Sequence, residues 1–278
     1  MCEAEKGEGS RMDVITGRAA AGSMEMEYVR FGSGERTLVI LPGLSVQSVI
    51  PAAPAIAKQY EIFGRDFTAY LFDRRSVLPE RYPVEAMADD TAAVMRALGL
   101  KNVCLFGASQ GGMMAEVIAV KYPDLVGKLA LGSTACRIDG TRAAVIDEWT
   151  RLAGEGKAEA LYLSFGKSIY PAGMFAQYRS ALAALSKSVT AEDLKRFVIL
   201  AEGTAGFDIK DELTQIRCPV LAIGDHTDEV LGAGAAYEIA GALKANPGFE
   251  LYMYPSYGHA AYDTAPDYAQ RLYDFFMR

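Results

Sequence analysis

Residues 103–122, VCLFGASQGGMMAEVIAVKY, join a short apolar run to a glycine-rich corner and then to a long apolar segment. The run VCLF (103–106) predicts a buried strand, because it is continuously apolar rather than alternating. Residues 111–122 predict a helix that is apolar on nearly all sides, with charges only at Glu116 and Lys121. A strand, a tight turn and a buried helix therefore follow one another, and the rest of the chain repeats this strand–helix order.

Ser109 lies at this corner, between Gly107 and Gly111, in a G-x-S-x-G pattern. The pattern alone is weak, because 14 serines and 27 glycines in 278 residues give roughly 0.13 matches by chance. A turn that needs small residues would also explain it. The strand before it and the helix after it favour a nucleophile elbow, in which a strained serine stands at a helix N-terminus. We therefore predict that Ser109 is a nucleophile.

Other apolar runs also predict buried strands, and helical patterns lie between them. The runs are TLVIL (37–41), AYLF (69–72), KLALG (128–132), PVLAI (219–223) and ELYMY (250–254). One helical pattern covers 83–98, where apolar residues at 3–4 spacing form a single face. This alternation predicts an α/β fold with a mostly parallel central sheet flanked by helices.

The segment 137–205 interrupts the alternation, since it contains no convincing strand and is rich in aromatic residues. Thr190 followed by Asp193 resembles a helix N-terminal cap. We predict a helical lid over 137–205, inserted between two parts of one core, 1–136 and 206–278. Residues 1–23 are polar and glycine-rich, so we expect a flexible tail there.

The composition excludes several classes of function. The net charge is −7 without a block of like charges, so nucleic acid and anionic membrane surfaces are not expected partners. No apolar run approaches the roughly 18 residues of a membrane helix, and the polar start does not resemble a signal peptide. The four cysteines form no C-x-x-C pair. We expect a cytoplasmic protein without disulfides that acts on a small molecule.

A serine nucleophile needs a base, and the chain has two histidines. His259 follows a predicted strand, in the loop position where active sites of α/β sheets collect, and we predict that it is the base. We expect His226 to be an exposed loop residue. The acid that orients the base is predicted to be Asp228, with Asp225 and then Glu229 as the alternatives. Two histidines without a nearby cysteine make a metal site a poor interpretation.

The oxyanion of an acyl-transfer reaction needs two backbone N–H donors. Gln110, directly after the nucleophile, supplies one. The other is expected from the loop after TLVIL, which continues as LPGLS, and we assign it to Leu44. Gly43 would let this backbone approach the reacting carbon closely.

With these motifs, the chain resembles lid-bearing members of the α/β-hydrolase superfamily. The resemblance rests on LPG (41–43), the DRR of 73–75, GASQGG, PVLAIGDHTD and YGHAAYD. The chain departs from the family pattern at Pro42, where a histidine is frequent. Asp228 also stands one residue further from Gly224 than the family's acid usually does. The resemblance implies that residues 73–75 brace the loop beneath the lid.

The residues and the resemblance together predict a cofactor-independent serine hydrolase that cleaves a carboxylic ester of a small, apolar substrate. A serine at the elbow argues against dehalogenases and epoxide hydrolases of this fold, which need an aspartate there. Hydrolysis of thioesters or carbon–carbon bonds and cyanohydrin cleavage remain alternatives with the same triad. A ligand receptor that turns over slowly is an alternative from a different class.

Overall fold

The computed structural model describes residues 13–278. The strands of its central sheet are β1 (Val14–Ala21), β2 (Met24–Phe31), β3 (Arg36–Leu41), β4 (Phe67–Arg75), β5 (Val103–Ala108), β6 (Val126–Gly132), β7 (Val220–Asp225) and β8 (Phe249–Tyr254). Their spatial order is β1-β2-β4-β3-β5-β6-β7-β8. β2 pairs antiparallel with β1 and β4, and the remaining neighbours pair in parallel. The prediction of a mostly parallel central sheet is confirmed.

The predicted apolar runs lie within β3 to β8, except that Pro219 of the run 219–223 precedes β7. The expectation of a flexible tail over 1–23 is wrong for its described part, because β1 begins at residue 14. β1 forms a hairpin with β2 through Gly22, whose φ is +62°. Arg18 and Glu27 form an ion pair across the two strands, at 2.7 Å. Pairing with a neighbouring strand orders this segment, and residues 1–12 lie outside the described residues.

Helices cover both faces of the sheet. They are α1 (Ala53–Gln59), α2 (Val84–Ala97), α3 (Gln110–Lys121), α4 (Gly140–Gly154), α5 (Ala158–Ile169), α6 (Ala172–Leu185), α7 (Ala191–Glu202), α8 (Ala233–Leu243), α9 (Ala261–Thr264) and α10 (Tyr268–Met277). In β3, Val39 and Leu41 pack into the core layer that contains α2, α3 and α8. Leu38 and Ile40 pack into the layer that contains α1 and α10. Burial on both faces is why the central strands are continuous apolar runs.

Helices α4 to α7 lie between β6 and β7, within the segment 137–205. The predicted cap is present at the start of α7: the Asp193 N–H donates to the Thr190 hydroxyl at 3.1 Å, and the Thr190 N–H donates to the Asp193 carboxylate at 2.9 Å. α7 buries four of its side chains, whereas α6 buries none. α4 also buries four side chains, so α4 and α7 are packed into the protein more deeply than α6 is.

Glu116 on α3 is fully buried, although it is a carboxylic acid. Neither of its carboxyl oxygens has a hydrogen-bond partner among residues 13–278. Burial raises the pKa of Glu116 well above its ordinary value, because the charged form loses its hydration. The unfolded chain thus releases this proton at a lower pH than the folded chain does. Glu116 therefore destabilises the fold increasingly as the pH rises between the two pKa values.

We expect Glu116→Gln to have a larger free energy of unfolding than the wild type. The difference should grow by about 1.4 kcal/mol per pH unit between the unfolded pKa, near 4.3, and the higher folded pKa. Urea unfolding of both proteins at several pH values measures it. Glu116→Met, which removes both polar atoms at similar volume, should show the same trend. A difference that stays constant from about pH 5 to 8 would contradict the expectation.

Candidate active site

Ser109 stands at the corner between β5 and α3 with φ +52° and ψ −122°, a backbone conformation that residues with a Cβ rarely adopt. The flanking glycines permit this corner. A Cβ at Gly107 would lie 2.3 Å from the Gly111 carbonyl oxygen, and a Cβ at Gly111 would lie 2.1 Å from a carbonyl oxygen of β3. The Thr134 hydroxyl donates to the Ser109 carbonyl at 2.7 Å and holds the corner from the β6 side. Sequence reasoning did not detect this role of Thr134.

The structure brings Ser109, His259 and Asp228 together. His259 Nε2 lies 2.9 Å from Ser109 Oγ, and His259 Nδ1 lies 2.9 Å from Asp228 Oδ2. The side chains of His259 and Asp228 are only 3% and 4% exposed. They lie in the loops after β8 and β7, at the carboxyl ends of parallel strands, where the corner after β5 also lies.

Asp228 has a second set of partners that fixes its orientation. Its Oδ1 accepts the N–H groups of Val230 at 2.8 Å and Leu231 at 3.0 Å. Burial disfavours the charged carboxyl, but the charge and hydrogen bond of His259 and these two N–H groups outweigh it, so the pKa of Asp228 lies below its ordinary value. An ionised Asp228 can accept the Nδ1–H of His259 and keep Nε2 free to accept a proton.

Asp225, the alternative acid, has other partners. Its Oδ1 accepts the N–H and the hydroxyl of Thr227, each at 2.7 Å, and its Oδ2 accepts the N–H of Tyr257 at 2.6 Å. These bonds tie the loop after β7 to the loop that carries His259. His226 is exposed, and the described hydrogen bonds of the His259 ring go to neither Asp225 nor His226.

Other nucleophiles and ligand clusters have little support in the described residues. Cys104, Cys136 and Cys218 carry free thiols, and burial raises their pKa values to about 11, 12 and 11. Such thiols are protonated at neutral pH and are poor nucleophiles. Within 13–278, no group of three or more His, Cys, Asp or Glu residues is arranged to hold a metal ion. No helix in this range is both long and apolar enough to cross a membrane.

The two predicted oxyanion donors lie next to the corner in different segments. Gln110 is the first residue of α3, where a backbone N–H has no acceptor in a preceding turn. The loop after β3 passes close to the nucleophile, since a Cβ at Gly43 would lie 3.1 Å from the Ser109 Cβ. In the described structure, the Leu44 N–H has no backbone acceptor. Both N–H groups are thus free to bind a ligand oxygen.

The side chain of Gln110 joins three segments that are far apart in the sequence. Arg74 Nη2 donates to the Pro42 carbonyl at 3.0 Å and to Gln110 Oε1 at 2.9 Å. Gln110 Nε2 in turn donates to the Leu200 carbonyl on α7 at 2.6 Å. The loop that carries Leu44 is therefore connected through Arg74 and Gln110 to the helical insertion. No local sequence pattern indicates this network, because its members are 36 and 90 residues apart.

The helical insertion also contacts the loops of the site directly. Gln47, in the loop after β3, donates to Asp193 of α7 at 3.3 Å and accepts from the Tyr162 hydroxyl of α5 at 3.2 Å. The N–H of Ala260, next to His259, donates to the Ile169 carbonyl at the end of α5 at 3.0 Å. The insertion therefore lies against both the loop with Leu44 and the loop with the histidine.

Comparisons with known proteins agree with this fold. The sequence model of the α/β hydrolase fold family matches residues 36–162. MGS-M2, an α/β hydrolase enzyme from a deep-sea metagenome library, superimposes with a TM-score of 0.83 at 19% identity, over 94% of this chain and 98% of that one. Serine hydrolase BPHL of Mus musculus is 25% identical over 273 residues, which are 95% of this chain and 87% of that protein. A Rhizobium rhizogenes protein provisionally named carbamate hydrolase RutD is 27% identical over 197 residues, 68% of this chain and 75% of that one.

The eight-stranded sheet, its helical layers and these similarities define the class of the protein. The chain has the α/β-hydrolase fold, and its residues 36–162 match the sequence model of that family.

Proposed function

We propose that the protein is a serine hydrolase that cleaves a carboxylic ester of a small, apolar substrate through an acyl-enzyme. The observation that carries the proposal is the pair of 2.9 Å contacts that joins Ser109 to His259 and His259 to Asp228. The strained corner and the nearby free N–H groups of Gln110 and Leu44 support it, because acyl transfer needs a nucleophile, a base, an orienting acid and an oxyanion site.

In the proposed reaction, Ser109 Oγ attacks the ester carbonyl carbon while its proton passes to His259 Nε2. Asp228 stabilises the resulting imidazolium through Nδ1–H, and the N–H groups of Gln110 and Leu44 bind the oxyanion. The alcohol leaves with the proton from His259, and an ester bond to Ser109 remains. Water then gives its proton to His259 and attacks this ester, which releases the carboxylic acid and restores the serine hydroxyl.

The proposal of an apolar substrate rests on the aromatic residues of the insertion. Some of these aromatic residues form the insertion's own core, since the rings of Trp149 and Phe165 have centroids 4.4 Å apart. Others are accessible: Tyr178 of α6 is 41% exposed, and its ring lies 5.2 Å from that of Tyr170. Tyr170 follows Ile169, whose carbonyl contacts the histidine loop, so this aromatic pair lies near the base. We propose that the insertion acts as a lid at this position.

Carbamate cleavage is a second candidate, because the Rhizobium rhizogenes relative is named for it. The proposed groups would act in the same way on a carbamate carbonyl, with an amine or alcohol as leaving group. The substrate panel that tests the proposal should therefore include esters, thioesters and carbamates.

A fluorophosphonate probe tests the proposal, because it phosphonylates an activated serine. We expect stoichiometric labelling that peptide mapping assigns to Ser109, and many turnovers on nitrophenyl esters. Ser133→Ala is the matched control, since Ser133 also has positive φ, 44°, and is buried, but its hydroxyl has no partner in the described structure. This variant should keep the labelling. Absence of label, or a reaction that stops after a single turnover, would contradict the proposed enzyme and favour a receptor.

A further inference from the structure

A polar cavity of about 280 Å³ lies between the carboxyl end of β4 and α7. Arg74 and Arg75 from β4 and Arg196 from α7 line it, together with Ser48 and Ser76. No member of the serine–histidine–aspartate group is part of its lining. We propose that this cavity, which we term the arginine cavity, binds a compact oxyanion, namely a phosphate or a carboxylate group.

The first support is a set of buried cationic donors without partners. Among residues 13–278, Arg74 Nε, Arg75 Nε and Arg196 Nη1 are buried and make no hydrogen bond. Arg74 as a whole is only 4% exposed. Buried polar groups are nearly always paired, and an unpaired charged donor is more costly than a neutral one. These three donors belong to guanidinium groups that line one cavity. An anion with several oxygens matches the paired-donor geometry of such groups.

The second support is that the nearby carboxylates are already engaged. Asp73 Oδ1 accepts Arg196 Nη2 at 2.6 Å and the backbone N–H of Arg74 at 2.8 Å. Glu27, at the rim, accepts Nε and Nη2 of Arg18 at 2.9 and 2.7 Å. The lining contains four arginines and three carboxylates, and the third carboxylate, Glu25, lies 3.7 Å from Arg18 Nη1. The carboxylates therefore leave the inner arginine donors unsatisfied.

The charge of Arg74 is not fully compensated by its surroundings. Burial lowers the pKa of Arg74 to about 10, Asp73 opposes this effect, and the neighbouring Arg196 adds to it. Arg74 stays protonated at neutral pH. Arg75 reaches its carboxylate partner, Asp90, only at 3.3 Å. A bound anion would stabilise both guanidinium groups by charge and by hydrogen bonds.

The size and the hydroxyl groups restrict the ligand. The volume is below the roughly 300–1,000 Å³ of pockets for drug-sized molecules, so a phosphate or a short carboxylate fits the space better than a large molecule. Ser48 Oγ accepts the N–H of Ile50 at 3.2 Å, which leaves its hydroxyl proton available to a ligand oxygen. The guanidinium groups and the Ser48 hydroxyl of the lining therefore offer donors to a ligand that carries hydrogen-bond acceptors.

Calorimetric titration and thermal unfolding of the full chain test the proposal, with inorganic phosphate and acetate as probes at constant ionic strength. We expect saturable binding of phosphate, and a Tm increase of about 2–4 °C at ten times its Kd. Arg75→Gln should weaken binding about tenfold or more, because it removes a charged donor outside the catalytic groups. Arg96→Gln is the matched control: Arg96 is half exposed and pairs with Asp124 at 3.0 Å away from the cavity. It should bind phosphate like the wild type.

Binding of acetate without phosphate would identify a carboxylate as the ligand group and support the site. Equal Tm increases in the wild type and Arg75→Gln would mean a general salt effect and would overturn it. Absence of saturation in the wild type would overturn it as well. If Arg75→Gln does not fold, Arg75→Lys keeps the charge, loses the fork of donors and should still bind more weakly. Calorimetric titration and thermal unfolding do not depend on catalysis, so failure of the hydrolase proposal would not affect their result.

Discussion

Ser109→Ala should lower kcat/KM for ester hydrolysis by about 10⁵, because the variant has no nucleophile for the acyl-enzyme. The proposed oxyanion donors belong to the backbone of Gln110 and Leu44, so they stay in place in this variant. A residual rate above that of the uncatalysed reaction is therefore expected. Steady-state kinetics on the best ester of the panel measures the loss. A rate within tenfold of the wild type would exclude Ser109 as the nucleophile.

A second substitution at the same position serves as the control for folding. Ser109→Gly also removes the hydroxyl, but glycine adopts φ near +52° without the steric cost that a Cβ meets there. We expect Ser109→Gly to be as inactive as Ser109→Ala and more stable by about 1 kcal/mol or more in urea unfolding. Equal stability would mean that the corner is not strained.

Asp228→Asn should lower kcat by about 10³ to 10⁴ while the fold stays intact. Asparagine can turn its amide N–H₂ towards His259 Nδ1, which then accepts a hydrogen bond instead of donating one. The imidazole would then carry its proton on Nε2, where the Ser109 proton has to be taken up. Because the wild-type carboxyl has a lowered pKa, it is ionised over the whole range of an assay between about pH 5 and 8. The loss should therefore be present throughout that range.

Asp225→Asn is the matched control, since it removes a carboxylate from the same loop. Asp225 bonds to Thr227 and to the Tyr257 N–H but not to the His259 ring, so its loss should act mainly through loop stability. We expect a decrease in kcat of less than about tenfold and a lower Tm. If the larger loss of kcat fell on Asp225→Asn, Asp228 would not be the orienting acid.

The sequence predicted the central strands well and the edge strands poorly, for a physical reason. Strands buried on both faces, such as β5 and β7, must be apolar throughout, and a continuous apolar run is visible without any partner. β1 has the sequence VITGRAAA, and most of its residues are partly or fully exposed. Its order comes from backbone pairing with β2 and from the cross-strand pair of Arg18 and Glu27. Such pairing is a property of two segments, so the composition of one segment does not indicate it.

In the candidate site, too, residues marked by their own segment could be predicted, whereas contacts between distant segments could not. Ser109 could be selected from the strand and helix on either side of it, and His259 from its place after a strand. The choice between Asp228 and Asp225 depends on which carboxylate reaches the imidazole, and only coordinates give that distance. Likewise, no sequence pattern indicates that the Arg74 guanidinium donates a hydrogen bond to the Gln110 side chain.

The Gln110 side chain has a practical consequence for anyone who wishes to redesign this protein. It connects the residue that follows Ser109 to the Leu200 carbonyl of α7. Random mutagenesis of α7 would therefore disturb the proposed catalytic residues together with the substrate preference. α6 buries none of its residues and includes the exposed Tyr178. A library confined to Ala172–Leu185 would therefore vary the proposed lid at small cost in folding stability, and new selectivity should be sought there first.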